Sequence, residues 1–165
     1  MVMLHPITSE LTAIYKEVRL RALQDMPSAF GSTYAREVQF SDGEWEQRTA
    51  NLNTGRGIGY LAMDGVRCCG LAACFLDAQD PFRAELVSMW VAPECRREGV
   101  GAQLIDAIQT WAMQRSARVL QLMVTSSNHA AIEFYRRNGF AMTGYTEPYP
   151  NDKSLTEYQM SKLIA

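Results

Sequence analysis

Two stretches of this chain carry residue types and spacings that could do chemistry. The first is Arg96-Arg97-Glu98-Gly99-Val100-Gly101. It follows an apolar run ending at Val91 and precedes apolar residues at Leu104, Ile108, Trp111 and Ala112, which recur at helical spacing. A strand, a turn and a helix N-terminus in that order leave several backbone N–H groups without partners. The helix dipole and two arginines add positive charge, and Gly99 and Gly101 let an anion approach the main chain. The turn reads either as a seat for a phosphate or pyrophosphate, or as a tight strand-to-helix turn with solvated arginines. The second stretch is Asn128-x-x-Ala131-x-x-Phe134-Tyr135-x-x-x-Gly139-Phe140, about 30 residues downstream.

Regular elements must hold these residues in place. Residues 83–91 read as a strand, 100–115 as a helix, and 119–124 as an apolar run suited to a buried parallel strand. Together they make one βαβ unit. Residues 128–138 read as a second helix with Ala131, Phe134, Tyr135 and Asn138 on one face, and Gly139 is placed for a left-handed terminus. Upstream, residues 1–7 suggest a short strand and Thr8 or Ser9 a helix cap. Leu11, Ile14, Tyr15, Val18 and Ala22 form the stripe of a helix that Pro27 ends. The aromatics of residues 28–34 either line a pocket or plug the core. Ser41 and Glu44 make a capping box for a helix carrying Trp45, Arg48 and Leu52. Residues 58–63 and 66–75 form a hairpin around Asp64-Gly65. Gly55, Gly57 and Gly59 imitate a dinucleotide fingerprint, but they precede a strand, whereas that fingerprint follows one. Residues 140–145 and 156–163 read as closing strands joined by a loop over 147–154.

With 165 residues the chain fits one domain, 1–165, with room for a core. Hydrophobic residues at 47% against 21% charged exclude a disordered chain. A net charge of −2 without a basic run argues against nucleic acid or a membrane surface as partner. Cys68, Cys69, Cys74 and Cys95 match neither zinc-pair spacing nor a disulfide framework, and only His5 and His129 could join them, so no metal is expected. They read as reduced packing thiols in a cytoplasmic protein. Neither a signal-peptide pattern nor a membrane-length apolar run is expected.

The two motifs, in this order and spacing, resemble the GNAT N-acetyltransferase superfamily over roughly residues 58–163. The first 55 residues match only its broad strand–helix–helix pattern, and Arg97 stands where a glycine is frequent. The resemblance implies an α/β (α+β) fold: a mixed central sheet of about six to seven strands, splayed parallel central strands and about four helices. It implies direct transfer of an acetyl group from acetyl-CoA to a primary amine of a small molecule or peptide. The alternative is a non-catalytic acyl-CoA-binding module on the same fold. A nucleotide-binding βαβ domain is opposed by the absence of Gly-Lys-Ser/Thr.

Carried over by position, the amides of Arg96, Arg97, Glu98, Gly99, Val100, Gly101 and Ala102 would hold the pyrophosphate of coenzyme A. The main chain of Met89, Trp90 and Val91 would pair with the pantetheine arm, which requires strands 83–91 and 119–124 to splay. Asn128, Ala131 and Phe134 would add cofactor contacts, Asn128 serving equally as an N-cap. Tyr135 would protonate the departing thiolate, its other reading being a core tyrosine. A backbone N–H near Trp90 or Val91 would support the thioester oxygen. Glu85 is the candidate base, or else a solvated strand-end glutamate. A bulge decides whether Glu85 or Ser88 faces the acceptor. No cysteine takes an acyl-relay position. The acceptor pocket would come from residues 30–45 and 147–154. Glu37, Glu44, Glu46, Glu147 and Asp152 make these segments acidic enough to suit a cationic small molecule or peptide amine. An exposed final strand could pair in a homodimer.

Overall fold

The apolar runs form the middle of a seven-stranded sheet in the computed structural model, which describes residues 1–165. In chain order the strands are β1 (Met3–Pro6), β2 (Gly57–Asp64), β3 (Arg67–Leu76), β4 (Arg83–Val91), β5 (Val119–Thr125), β6 (Ala141–Tyr149) and β7 (Asp152–Leu163). Across the sheet they run β1-β2-β3-β4-β5-β7-β6, antiparallel throughout except for β4 and β5. The helices are α1 (Thr12–Asp25), α2 (Tyr34–Glu37), α3 (Asp42–Asn51), α4 (Val100–Gln114) and α5 (His129–Arg137). This is the expected mixed sheet, with the single turn α2 as a fifth helix.

Residues 69–74 of β3 are buried without alternation, because the strand is covered on both faces. On α4, Leu104, Ile105, Ile108, Trp111 and Ala112 are buried, the stripe that packs this helix on β2, β3 and β4. Truncating one of its leucine or isoleucine side chains to alanine costs about 2–5 kcal/mol. The Ser41–Glu44 capping box starts α3: Glu44 Oε2 accepts from Ser41 N–H at 2.9 Å, and Ser41 Oγ accepts from Glu44 N–H at 3.2 Å.

The feature that matters for function is where β4 and β5 part. They pair only through Arg83–Glu85 against Val119–Gln121 and then diverge. Opposite β3, Leu71 faces Trp90 while Ala73 faces Val87, so β4 holds one extra residue there. The bulge includes Ser88, a non-glycine residue at φ 57°. Ser88 Oγ accepts from Arg19 Nη1 at 2.8 Å, and Arg19 grips Glu37 through two bonds of 2.9 and 3.0 Å. Arg48 adds a third bond to Glu37 at 3.0 Å. Burial by itself raises the Glu37 pKa, but the bonds from Arg19 outweigh it and hold the carboxyl below its usual range.

Several boundaries differ from the sequence reading. A 3-10 turn, Ser9–Leu11, precedes α1, and Thr8 makes no side-chain cap bond. The buried face of α1 is Tyr15, Val18, Arg19, Ala22 and Leu23, while Ile14 is exposed. The helix is turned so that Arg19 can reach Glu37. The β2–β3 turn falls at Gly65-Val66, one residue late, with Gly65 at φ 63°. Residues 147–154 are not a loop: β6 and β7 run on as a hairpin through a short turn. Pro148 is tolerated because β6 is an edge strand, where a missing N–H need break no ladder bond. The final strand is not free to pair either, since β7 lies between β5 and β6.

Candidate active site

The divergence of β4 and β5 opens a cleft of about 930 Å³, lined by β4, the turn after it, α5 and the β6–β7 hairpin. At one end lies the turn before α4. Gly99 is the helix N-cap at φ 83°, with no side-chain cap, and the first backbone donor into the helix is Gln103 N–H to the Gly99 carbonyl at 3.1 Å. The amides of residues 97–102 come before that bond and have no main-chain acceptor in the chain. Arg97, at φ 65°, and Gly99 are both left-handed, and such alternation curls successive N–H groups into an anion-binding concavity. The left-handed φ also explains why glycine suits position 97.

The two arginines differ. Arg96 N–H donates to the Pro93 carbonyl at 3.4 Å, so the free donors begin at Arg97. The Arg96 guanidinium donates to Asp25 Oδ2 at 2.6 Å and to the Val91 carbonyl at 3.0 Å. Asp25 Oδ2 also receives Trp90 Nε1 at 2.9 Å, so Arg96 is a strut between α1 and the end of β4. Arg97 and Glu98 are exposed, and Arg97 makes no ion pair. Gly101 has a packing role: a Cβ there would come within 2.7 Å of the Phe134 ring.

Midway along the cleft, α5 presents Ala131, Phe134 and Tyr135. Asn128 caps the helix, its Oδ1 accepting from Ala131 N–H at 3.2 Å while its Nδ2 has no partner in the chain. Tyr135 is 8% exposed and lies between Phe134 and Phe140, ring centroids 5.4 and 5.7 Å away. Burial pushes its pKa well above the usual tyrosine range, and its hydroxyl has no partner within the chain. Met89, Trp90 and Val91 form the facing wall. Ala92 N–H bonds the Cys69 carbonyl at 2.8 Å, so strand alternation turns the Val91 N–H toward the open side. Burial pushes the Cys74 thiol up to about 12, and burial with Cys69 alongside pushes Cys95 up to about 11, so neither offers a thiolate.

The far end is roofed by residues 27–32. Thr125 Oγ1 donates to the Ser28 carbonyl at 2.7 Å, Tyr149 donates to the Pro27 and Phe30 carbonyls, and Asn151 Nδ2 bonds the Phe30 and Ser32 carbonyls, both at 3.0 Å. Phe30 is a core plug under the Arg19 guanidinium that also lines the cleft. Of the five acidic residues expected around an acceptor, only Glu147 lines it. Glu37 is buried in its ion pairs, Glu44 caps α3, Glu46 is exposed on that helix, and Asp152 is bonded to Ser154. Glu85 also lines the cleft, its pKa raised by burial first and then by Asp77 and Glu147.

Glu157 was missed by sequence reasoning. It is 9% exposed, lines the cleft, and sits in register with Glu147 on one side and Thr125 on the other. Burial, then Glu147, then Glu85 raise its pKa to about 7. No local pattern marked it, since Glu157 alternates with Gln159 and Ser161 on what reads as the polar face of the strand.

A parallel pair that splays beside a helix N-terminus, within an otherwise antiparallel sheet, defines the acyltransferase architecture of the GNAT fold. The acetyltransferase (GNAT) family matches residues 20–140, and the chain belongs to it. Over 57 residues it is 40% identical to an uncharacterized N-acetyltransferase of Methanocaldococcus jannaschii, an alignment covering 34% of this chain and 25% of that protein. The chain thus spans about a quarter of that curated relative's length. A GNAT-family acetyltransferase of Streptococcus pneumoniae superposes over 100% of both chains with a TM-score of 0.80 at 20% identity. A spermidine N-acetyltransferase of Vibrio cholerae, in complex with CoA and spermine, superposes over 99% of this chain and 95% of its own with a TM-score of 0.78 at 16% identity. At these identities the structures share the fold. No helix is long and apolar enough to cross a membrane.

Proposed function

We propose that the chain moves an acetyl group from acetyl-CoA directly to a primary amine of a small molecule or peptide. The observation that carries this reading is that uncommitted main-chain donors at 97–102 and the unbonded Tyr135 hydroxyl line one cleft. Acetyl-CoA supplies the acyl group in activated form, as a thioester. The amides from Arg97 to Ala102 hold its diphosphate, with the Arg97 guanidinium adding charge. The open edge of β4 at Met89, Trp90 and Val91 aligns the pantetheine arm, and the Val91 N–H is aimed at the thioester oxygen. Asn128 Nδ2 reaches the same arm, while Ala131 and Phe134 pack along it.

Burial keeps Tyr135 protonated at neutral pH, so it donates a hydrogen bond toward sulfur. A thiol titrating near ~8.5 is the stronger acid, so full transfer from Tyr135 needs its proton replaced. The proton shed by the acetylated nitrogen replaces it, which makes Tyr135 a relay. With Cys95, the one cysteine lining the cleft, held as a thiol, an acyl-enzyme is disfavoured.

Incubating the chain with acetyl-CoA and a panel of amines, while following free thiol, tests the proposal. Tight coenzyme A binding with no thiol released on any amine would make the chain a binding module. Tyr135→Phe should lower kcat by ~10²-fold with little change in acetyl-CoA affinity. An unchanged kcat removes Tyr135 from the mechanism.

A further inference from the structure

The carboxylates of the cleft are not equivalent. Glu85 pairs with Gln121 at the last point where β4 and β5 touch, the closed end of the splay. Glu157 pairs with Thr125, four residues further along β5, roughly 13 Å toward the open end. Continuing the parallel register places the Ser88 bulge opposite residues 124 and 125. Glu157 is thus level with the bulge, and Glu85 lies behind it. Glu147, directly opposite Glu157 on β6, shares its face of the sheet, and Tyr149, whose hydroxyl ties down the roof, lines the same cleft.

We propose that Glu157, with Glu147 beside it, receives the acceptor's ammonium and takes its proton, so that the acceptor is a cationic amine without a carboxylate next to the reacting nitrogen. This rests on the acetyl-transfer reading. Two independent observations support it. Glu157 is nine-tenths buried and lines the cleft, yet no N–H of the chain bonds its oxygens, and the side chain within hydrogen-bonding reach is the Glu147 carboxyl. A buried carboxyl whose neighbour is a second carboxyl, with no cation between them, is the arrangement a bound ammonium would satisfy. The surroundings supply no cation to do so. Glu147 and Glu85 are the charged neighbours on β6 and β4, Thr125 is the neutral one on β5, and the 27–32 roof offers carbonyls. The Arg19 guanidinium lines the cleft but is held by Glu37 and Ser88.

The step balances. The acceptor's R–NH3⁺ gives one proton to the Glu157 carboxylate and becomes R–NH2. Its lone pair forms the N–C bond as the C–S bond breaks, and the second nitrogen proton reaches sulfur by way of Tyr135. Glu157 then returns its proton to water.

The test is calorimetry on the full chain, saturated with coenzyme A, using pairs that differ only by an α-carboxylate: agmatine against arginine, and tyramine against tyrosine. The wild type should bind each amine at least ~10-fold more tightly than its amino acid, since like charges brought together cost more than the 1.4 kcal/mol of a tenfold change. In Glu157→Gln the gap should shrink to within ~3-fold with coenzyme A affinity unchanged, and Glu157→Asp should restore part of it. Glu147→Gln should show a smaller reduction, an independent check should Glu157→Gln fold poorly. Equal wild-type binding of amine and amino acid, no amine binding, or a full gap in Glu157→Gln would each overturn the proposal. Thiol release, read separately, distinguishes the two ideas: selective amine binding without thiol release keeps the carboxylate site and removes the acetyltransferase reading.

Discussion

The two ends of the cleft are built by opposite means. At the turn before α4, the polar groups are main-chain N–H donors from six consecutive residues, 97–102, and their arrangement depends on two left-handed φ angles. At the carboxylate end, the polar groups are side chains from β4, β6 and β7, under a roof tied down by Thr125, Tyr149 and Asn151. A main-chain site tolerates changes of side chain but not of backbone angle. A side-chain site is the reverse, and it also responds to pH.

The most damaging change strikes at the carboxylate end. Glu37→Gln weakens the grip on two buried or half-buried arginines and should cost about 3–5 kcal/mol in denaturant unfolding. By releasing Arg19 from the bulge, it should weaken amine binding more than coenzyme A binding. Equal losses at both ends would erase the contrast. Gly99→Val attacks the other end, since valine resists φ 83° and would misdirect the donors. Calorimetry should show coenzyme A binding on the order of 10²-fold weaker, with the fold retained. Undiminished affinity would place the anion seat elsewhere.

Glu157 and Arg97 carry smaller effects. Glu157 has its folded-state pKa raised to about 7, so the native state holds its proton more tightly than the unfolded chain. Its contribution is fully present below about 4.5, the unfolded value, and is lost as pH rises through about 7. Glu157→Gln escapes that loss. Relative to wild type it should gain little at pH 4 and about 1–2 kcal/mol at pH 8, a shift discounted for solvent in the open cleft. A gain of the same size at both pH values would mean that Glu157 is not the titrating group. The smallest effect is Arg97→Gly. Relieving φ 65° should add about 1 kcal/mol of stability, while loss of the charge weakens coenzyme A binding only ~2- to 3-fold. A larger loss of affinity would show that the turn acts through its side chain after all.

The same contrast explains what could be read beforehand. The turn was legible because all its parts are sequence neighbours: apolar run, glycines and amphipathic helix follow one another. Asn128, Ala131, Phe134 and Tyr135 were legible because helical spacing puts them on one face. Arg19 was not, because a charged residue at a buried helical position makes sense only once Glu37 is known to lie opposite. Nor was Glu157, whose partner Glu147 is set by hairpin register. The prolines at 148 and 150 suggested a loop, since nothing local reveals that β6 is an edge strand.

Residue order alone determined the strand–turn–helix unit, the α5 face and the sheet's apolar runs, because these depend on periodicity and on angles that glycine permits. Tertiary structure alone decided where β4 and β5 separate, which carboxylates share the cleft and which arginine is free. Those are matters of register and of burial between distant segments, and a one-residue shift in either strand would turn the same glutamates to the opposite face.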